Sequence, residues 1–355
     1  MPMANRPPSG PNDRPRRSDT LHPNPLCDLM SDLIFSTHQL HPDVTAELRT
    51  LGTLVVASQP SQAAILEESK GASIIVVRAP IPPEIFQREK ALKATVRHGA
   101  GLDMIPVETA TQTGVLVANV PGVNALTVAE HCIWSALALL RKYPSVSADL
   151  RSSGWSVARA HSDHGRELSG RTIGIVGMGN VGNAVFRIAH GGFSMKVLAL
   201  TSRPAALPDG AEAADLKQLL ATCDVVVLCC PLTDTTRGMI GAEQLALMRP
   251  GAILVNVARG PVVDEAALIE ALGRGALGGA VLDVFDRQPL PSDHPLMSMR
   301  NVILTPHMAG ITEESMLRMG QGVVMETRRI LAGEKPLNFC NPEVWERYRE
   351  RFAGN

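Results

Sequence analysis

Short apolar runs rich in β-branched residues alternate along this chain with stretches whose apolar positions recur at helical spacing. From about Asp32 the runs at 54–57, 74–77 and 94–96 predict strands with helices between them, the signature of a parallel α/β unit. An apolar-faced segment, 128–140, predicts a helix that joins this unit to a second, and a polar stretch, 152–170, follows it. From Thr172 the alternation restarts, with strands at 173–176, 197–200, 225–228, 252–255, 279–281 and 302–304 and helices over 216–221, 243–248 and 265–271. Successive right-handed crossovers then make a doubly wound sheet of six or seven strands. The last periodic segment, 312–331, predicts a long helix that carries the chain back to the first unit. The expected fold is α/β, with two Rossmann-like lobes, doubly wound parallel sheets and a cleft between them, where small ligands usually bind.

The strand at 173–176 runs into Gly177, Gly179 and Gly182, so that RTIGIVGMGNVG reads G-x-G-x-x-G between a strand and a helical pattern over 181–189. In that setting the first glycine makes a tight turn, the second lets a pyrophosphate reach the backbone, and the third lets helix and sheet pack closely. The helix N-terminus, with Asn180 and Val181 in its first turn, then offers N–H groups and its positive dipole end to the phosphates. An acidic residue about 20 positions on would bind a ribose hydroxyl. Here the second strand ends instead in Leu200-Thr201-Ser202-Arg203-Pro204. A hydroxyl and a guanidinium accept a 2'-phosphate that a carboxylate would repel, so NADP is the favoured cofactor and NAD the alternative.

Composition narrows the partners. The chain has 355 residues, 45% of them hydrophobic, enough for two domains. A net charge of -1 and an aromatic content of 3% give neither a basic face nor a base-stacking platform, so no nucleic-acid partner is expected. The six cysteines form no CxxC pair and no regular spacing with histidine. Neither a disulfide framework nor a metal site is expected, and the thiols suit a reducing compartment, the cytoplasm. The N-terminal tail, residues 1–25, is rich in Pro, Arg, Asn and Ser without the apolar core of a secretory signal, and is expected to be disordered. No apolar run is long enough to span a membrane.

Three segments follow strands, where the loops of open sheets converge on a cofactor. In Asn256-Val257-Ala258-Arg259-Gly260, Arg259 can grip a carboxylate through two parallel N–H···O bonds. In Thr305-Pro306-His307, the histidine is a proton donor and acceptor near neutral pH at the end of a strand. In the stretch from Asp283 to Pro289, Asp283 can bond the nicotinamide amide, and Gln288 can accept the second ring N–H of His307 and so set its tautomer.

Taken in order, His98-Gly99-Ala100-Gly101-Leu102-Asp103, Asn124 with Thr127-Val128-Ala129-Glu130-His131, the glycine fingerprint, Pro231-Leu232-Thr233, the Arg259 segment, the Asp283 segment and Thr305-Pro306-His307 with Ala309-Gly310 resemble the D-isomer-specific 2-hydroxyacid dehydrogenases. That family includes phosphoglycerate dehydrogenases, hydroxypyruvate and glyoxylate reductases and formate dehydrogenases. The resemblance covers roughly residues 94–333. It implies that Arg259 anchors the substrate carboxylate, that His307 is the acid/base with Gln288 beside it, and that backbone N–H groups around Ala100 and Gly101 complete the carboxylate site. It implies a cofactor held by Gly177, Gly179, Asn180, Val181, Gly182, Ser202, Arg203, Pro231, Val257, Ala258, Asp283, His307 and Gly310. A homodimer with the interlobe helices near its interface is implied as well. The expected organisation is a substrate-binding, flavodoxin-like domain from 26–125 and 309–355 and an NAD(P)-binding Rossmann domain from 126–308.

At Gln288 the chain departs from the glutamate usual in these dehydrogenases; an amide orients a histidine without adding the charge that stabilises imidazolium. Formate dehydrogenases carry a similar Gln-Pro, but the small Ala100 and Ser202 argue against formate oxidation. The expected activity is interconversion of a small 2-oxo acid, of hydroxypyruvate or glyoxylate type, and the D-2-hydroxy acid. One alternative is a phosphoglycerate dehydrogenase, although the 48 residues after His307 are too few for an appended regulatory domain. A formate dehydrogenase and a nucleotide-bound scaffold or sensor are the others, and Arg259 with His307 argues against the last.

Overall fold

The computed structural model of the chain describes residues 32–352. The expected tail over 1–25 lies outside the described residues. Five parallel strands, β1 (Leu33–Ser36), β2 (Thr53–Val56), β3 (Ile74–Val77), β4 (Ala94–Arg97) and β5 (Leu116–Ala118), form a first sheet in the order β2-β1-β3-β4-β5. Seven more form a second: β6 (Thr172–Val176), β7 (Lys196–Leu200), β8 (Ala211–Ala213), β9 (Val225–Leu228), β10 (Ile253–Asn256), β11 (Gly279–Leu282) and β12 (Val302–Leu304), in the order β12-β11-β10-β9-β6-β7-β8. The central strands read IIVV, VVVL and ILVN and are buried along their whole length, because helices cover both faces of a parallel sheet. In the second sheet the order reverses between β6 and β9, and crevices form at the carboxyl ends of strands at such a switch point.

Two helices tie the sheets together. Ala125–Leu140 is apolar on most of its circumference and shares a core with Ile173, Val225, Val255 and Val281 of the second sheet. Glu313–Leu331 starts at a capping box, in which Ser315 N–H donates to Thr312 Oγ1 (3.2 Å) and Thr312 N–H to Ser315 Oγ (2.8 Å). It then returns to the first sheet, where Val323, Val324 and Ile330 join Ile34, Ile74, Val96 and Leu116 in one core. The buried Glu326 accepts the Leu337 and Asn338 N–H groups at 2.9 Å each, which lays the C-terminal segment along that lobe.

The structure adds strands that the hydrophobic pattern does not predict, β1, β5 and β8. The last two are three residues long, and Ala-Glu-Ala at β8 has no strand propensity of its own; register with Val197 to Ala199 makes it a strand. The polar stretch 152–170 contains a short helix, Trp155–Ala160, following Tyr143–Ser152. Among the described residues no helix is long and apolar enough to cross a membrane.

Candidate active site

The glycine loop leaves β6 with Gly177 at φ +100°, its N–H bonded to the Leu200 carbonyl of β7 (2.9 Å). A Cβ on Gly182 would stand 2.1 Å from the Gly177 carbonyl oxygen, so the helix Asn180–Phe193 can follow this closely only with glycine there. At Gly179 a Cβ would meet nothing within 4 Å, and the helix begins without a side-chain cap. An open cradle in front of uncapped N–H groups fits a pyrophosphate. Asn180 is exposed in the first turn, while Val181 packs on the core beside it.

The other expected cofactor residues stand along the same edge of the sheet. Ser202 and Arg203 are exposed just past β7, and the Arg203 side chain has no bonding partner among the described residues. Pro231 follows β9, its carbonyl accepting Thr236 Oγ1 (2.7 Å). Val257 follows β10 and donates its N–H to Leu228 (3.2 Å), and Ala258 is buried beside it. Gly310 lies beyond the strands, where its carbonyl caps onto Ser315 Oγ (2.8 Å).

Arg259 is positioned from below. The buried Asn256 at the end of β10 accepts Ala258 N–H (3.1 Å) and donates to the Arg259 carbonyl (3.0 Å), closing the turn that carries the arginine. The guanidinium donates from Nη1 to Ala258 O (2.6 Å), and from Nε and Nη2 to Asp103 Oδ2 of the first lobe (3.0 and 2.6 Å). Gly101 is pressed against it: a Cβ there would sit 2.1 Å from Nη2. Burial acts to raise the Asp103 carboxyl, but the Arg259 hydrogen bond and charge outweigh it and hold the group below the ordinary carboxylate range. With Asp103 more than half exposed, such a pair is worth about 0–1 kcal/mol, which a competing carboxylate can readily replace.

His307 sits in the left-handed region at φ +53°, a conformation that costs a non-glycine residue on the order of 1–3 kcal/mol. Asp283 enforces it. The Asp283 carbonyl accepts His307 N–H (2.9 Å), and its buried carboxylate accepts Thr305 Oγ1 (2.7 Å), Met308 N–H (2.8 Å) and Ala309 N–H (3.0 Å). The sequence assigns Asp283 to the nicotinamide amide; the structure engages both of its oxygens in holding the His307 loop. Gln288 Nε2 donates to Phe285 O (3.4 Å), which turns Oε1 toward His307 Nδ1 (3.2 Å). Nδ1 is therefore the donor, and Nε2 has no partner among the described residues. Crowding by the cleft walls lowers the His307 pKa from its ordinary value; Asp283 opposes that shift, while Arg259 and Arg97 add to it and Asp103 opposes them.

Arg97 and Asn119 escape the sequence reading. Arg97 donates from Nε to Gly101 O (3.0 Å) and from Nη1 to Val77 O (3.0 Å) and His98 O (2.6 Å). Burial, then repulsion from Arg259 and Arg78, brings its pKa down to about 10, so it stays a cation at neutral pH. An arginine closing the otherwise apolar run 94–96 is the one signal that the sequence carried for it.

A chain that offers phosphates an uncapped helix at one edge of its sheet, and sets an arginine and an oriented histidine in the loops of the neighbouring strands, is built as a dinucleotide-dependent oxidoreductase. The family model for the D-isomer specific 2-hydroxyacid dehydrogenase NAD binding domain matches residues 133–309. Glyoxylate reductase of Korarchaeum cryptofilum is 38% identical over 291 residues, 80% of this chain and 87% of that protein. D-3-phosphoglycerate dehydrogenase of Methanocaldococcus jannaschii is 37% identical over 314 residues, 87% of this chain, which spans only 59% of that protein's length. The crystal structure of an NADPH-dependent glyoxylate/hydroxypyruvate reductase from Sinorhizobium meliloti, 27% identical, superposes with a TM-score of 0.77 over 88% of this chain and 98% of that one. The chain belongs to the D-isomer specific 2-hydroxyacid dehydrogenase family and is an NAD(P)-dependent oxidoreductase.

The Gln288 contact generates a test. With His307 as the proposed proton donor, 2-oxo acid reduction needs imidazolium, so its rate is expected to fall as pH rises through that pKa. Gln288→Glu places an anion on Nδ1–H and stabilises the charged ring. The alkaline limb of kcat/KM is expected to move to higher pH, by about 1 unit. Superimposable profiles, with a deuteride isotope effect showing that chemistry limits the rate, would mean that another group carries the proton.

Proposed function

We propose that the chain reduces a small 2-oxo acid, of glyoxylate or hydroxypyruvate type, to the D-2-hydroxy acid, with NADPH as the preferred cofactor. In this reading the 126–308 domain holds the dinucleotide, and 26–125 with 309–355 forms the substrate domain. The observation that carries it is the convergence of Arg259, fixed by Asn256 and laid against Gly101, with His307, whose Nε2 has no partner among the described residues and whose Nδ1 is held by Gln288. The substrate carboxylate replaces Asp103 on the Arg259 fork and takes the Ala100 and Gly101 N–H groups as further donors. When bound, the nicotinamide supplies a hydride to the carbonyl carbon. His307 gives its Nε2 proton to the carbonyl oxygen, and Gln288 keeps the ring oriented as the charge leaves it.

Support for the substrate class comes from the relatives, named as glyoxylate or glyoxylate/hydroxypyruvate reductases. Support for NADPH comes from Ser202 and the unengaged Arg203, with no carboxylate at the end of β7 to repel a 2'-phosphate. We also infer a homodimer in the reducing cytoplasm. Leu126, Trp134, Tyr143, Leu150, Trp155 and Val157 are exposed on three successive helices, with Trp155 75% accessible, and an apolar surface of this kind marks an interface. The cysteines among the described residues are free thiols.

Turnover of a panel of 2-oxo acids with each cofactor tests the reading. Glyoxylate or hydroxypyruvate is expected to be reduced with higher kcat/KM for NADPH than for NADH, and Ser202→Asp to reverse that preference. Equal or better efficiency with NADH would remove the cofactor assignment, and intact NADPH binding without turnover of any 2-oxo acid would favour a scaffold. Sedimentation is expected to give twice the 37.9 kDa mass of the chain; a monomer at micromolar concentration would contradict the dimer.

A further inference from the structure

The loop from His98 to Gly101 follows β4 and carries no side chain that can bind a substrate by charge, yet all four of its carbonyl groups are tied down. Arg97 holds the first and last, His98 O from Nη1 (2.6 Å) and Gly101 O from Nε (3.0 Å). Between them Gly99 O accepts Val120 N–H (2.9 Å) and Ala100 O accepts Asn119 Nδ2 (2.7 Å), both from residues just past β5. In a trans peptide the carbonyl and the next N–H point in opposite directions. Anchoring Gly99 O and Ala100 O therefore turns the Ala100 and Gly101 N–H groups away from those anchors, and neither has a partner among the described residues. Gly101 is also the residue laid against Arg259 Nη2. Nη1 of Arg97 reaches on to Val77 O at the end of β3 (3.0 Å), so the guanidinium staples the loop to two neighbouring strands. It makes no ion pair among the described residues, although the Asp103 carboxylate acts on it at longer range.

We propose that Arg97 is a positioning residue of the substrate-carboxylate site: it holds the loop so that the Ala100 and Gly101 N–H groups stay free for the carboxylate on Arg259, and it sets a positive charge bonded only to carbonyls behind them. Carbonyl partners satisfy the guanidinium hydrogens without neutralising it, which is how a fixed cation keeps its pull on an incoming anion. The charge also reaches His307. That ring is faced by Asp283 of the β11 end, Arg259 of the β10 end, Asp103 of the first lobe and Arg97 itself, and the last disfavours imidazolium. The inference rests on the proposed 2-oxo acid reading.

The test compares the unmodified chain with Arg97→Met and Arg97→Lys, using glyoxylate reduction and, by calorimetry on the NADPH-loaded protein, binding of oxamate, an unreactive mimic of a 2-oxo acid. Arg97→Met is expected to weaken oxamate and raise the glyoxylate KM on the order of 10-fold or more, with a smaller change in kcat and unchanged NADPH affinity. Its alkaline limb in kcat/KM is expected to move to higher pH, because a cation facing His307 has gone. Arg97→Lys keeps the charge but cannot span both carbonyls, so it should leave the limb in place and recover part of the affinity. Unchanged KM and oxamate affinity in Arg97→Met would overturn the proposal, as would equal losses in both variants with no movement of the pH limb. If the unmodified chain reduces no 2-oxo acid, the functional reading fails by itself; oxamate binding then still decides for or against Arg97.

Discussion

The guanidinium of Arg259 leaves the second sheet, crosses the cleft and closes on Asp103 of the first lobe with Gly101 beneath it. In energy this contact is slight, an ion pair with a largely exposed carboxylate. In geometry it is tightly specified, because Asn256 clamps the turn on both sides and Nη1 is tethered to Ala258 O. A fork held rigidly by its backbone and loosely by its anion is suited to exchange one carboxylate for another. In the proposed reading, the N–H groups of the 98–101 loop and the ring of His307 are arranged around the place of that exchange.

The same electrostatics carries a cost for the histidine. Arg259, Arg97 and Arg78 crowd the carboxylate end, with Asp103 the acid nearest to them, and cations that draw an anion also disfavour imidazolium nearby. The buried carboxylate of Asp283 works against that shift while it braces the strained backbone at His307. Gln288 contributes orientation and no charge. In the proposed reaction proton donation by His307 then favours acidic conditions, and the groups that set this come on loops from the ends of β4, β10, β11 and β12.

Much of this was legible in the chain. Strands buried on both faces read as unbroken apolar runs, which is why β3 and β9 fall where the pattern puts them; the fingerprint strand begins one residue earlier than the pattern predicts. Ala-Glu-Ala at β8 carries no apolar pattern to be seen and is a strand through its pairing with β7, whereas the missed β5 is as apolar and as short as the β12 run that the pattern does place. Arg259 and His307 come soon after strands in the sequence, and the structure sets Gln288 Oε1 against His307 Nδ1 as the sequence predicts. Arg97, Asn119 and the bracing work of Asn256 and Asp283 depend on which carbonyl or N–H lies within 3 Å, and no linear spacing encodes that. Asp103 was visible as part of a motif, but its contact with Arg259 joins residues 156 positions apart.

The proposed role of Arg259, orienting a substrate carboxylate as a two-pronged donor, is tested by kcat/KM for NADPH-dependent glyoxylate reduction in Arg259→Lys. A point ammonium keeps the charge and loses the fork. A loss on the order of 10²-fold or more, about 2.7 kcal/mol of transition-state stabilisation, is expected with NADPH affinity unchanged. Near-normal kinetics in this variant would contradict that role and place the carboxylate site elsewhere in the cleft.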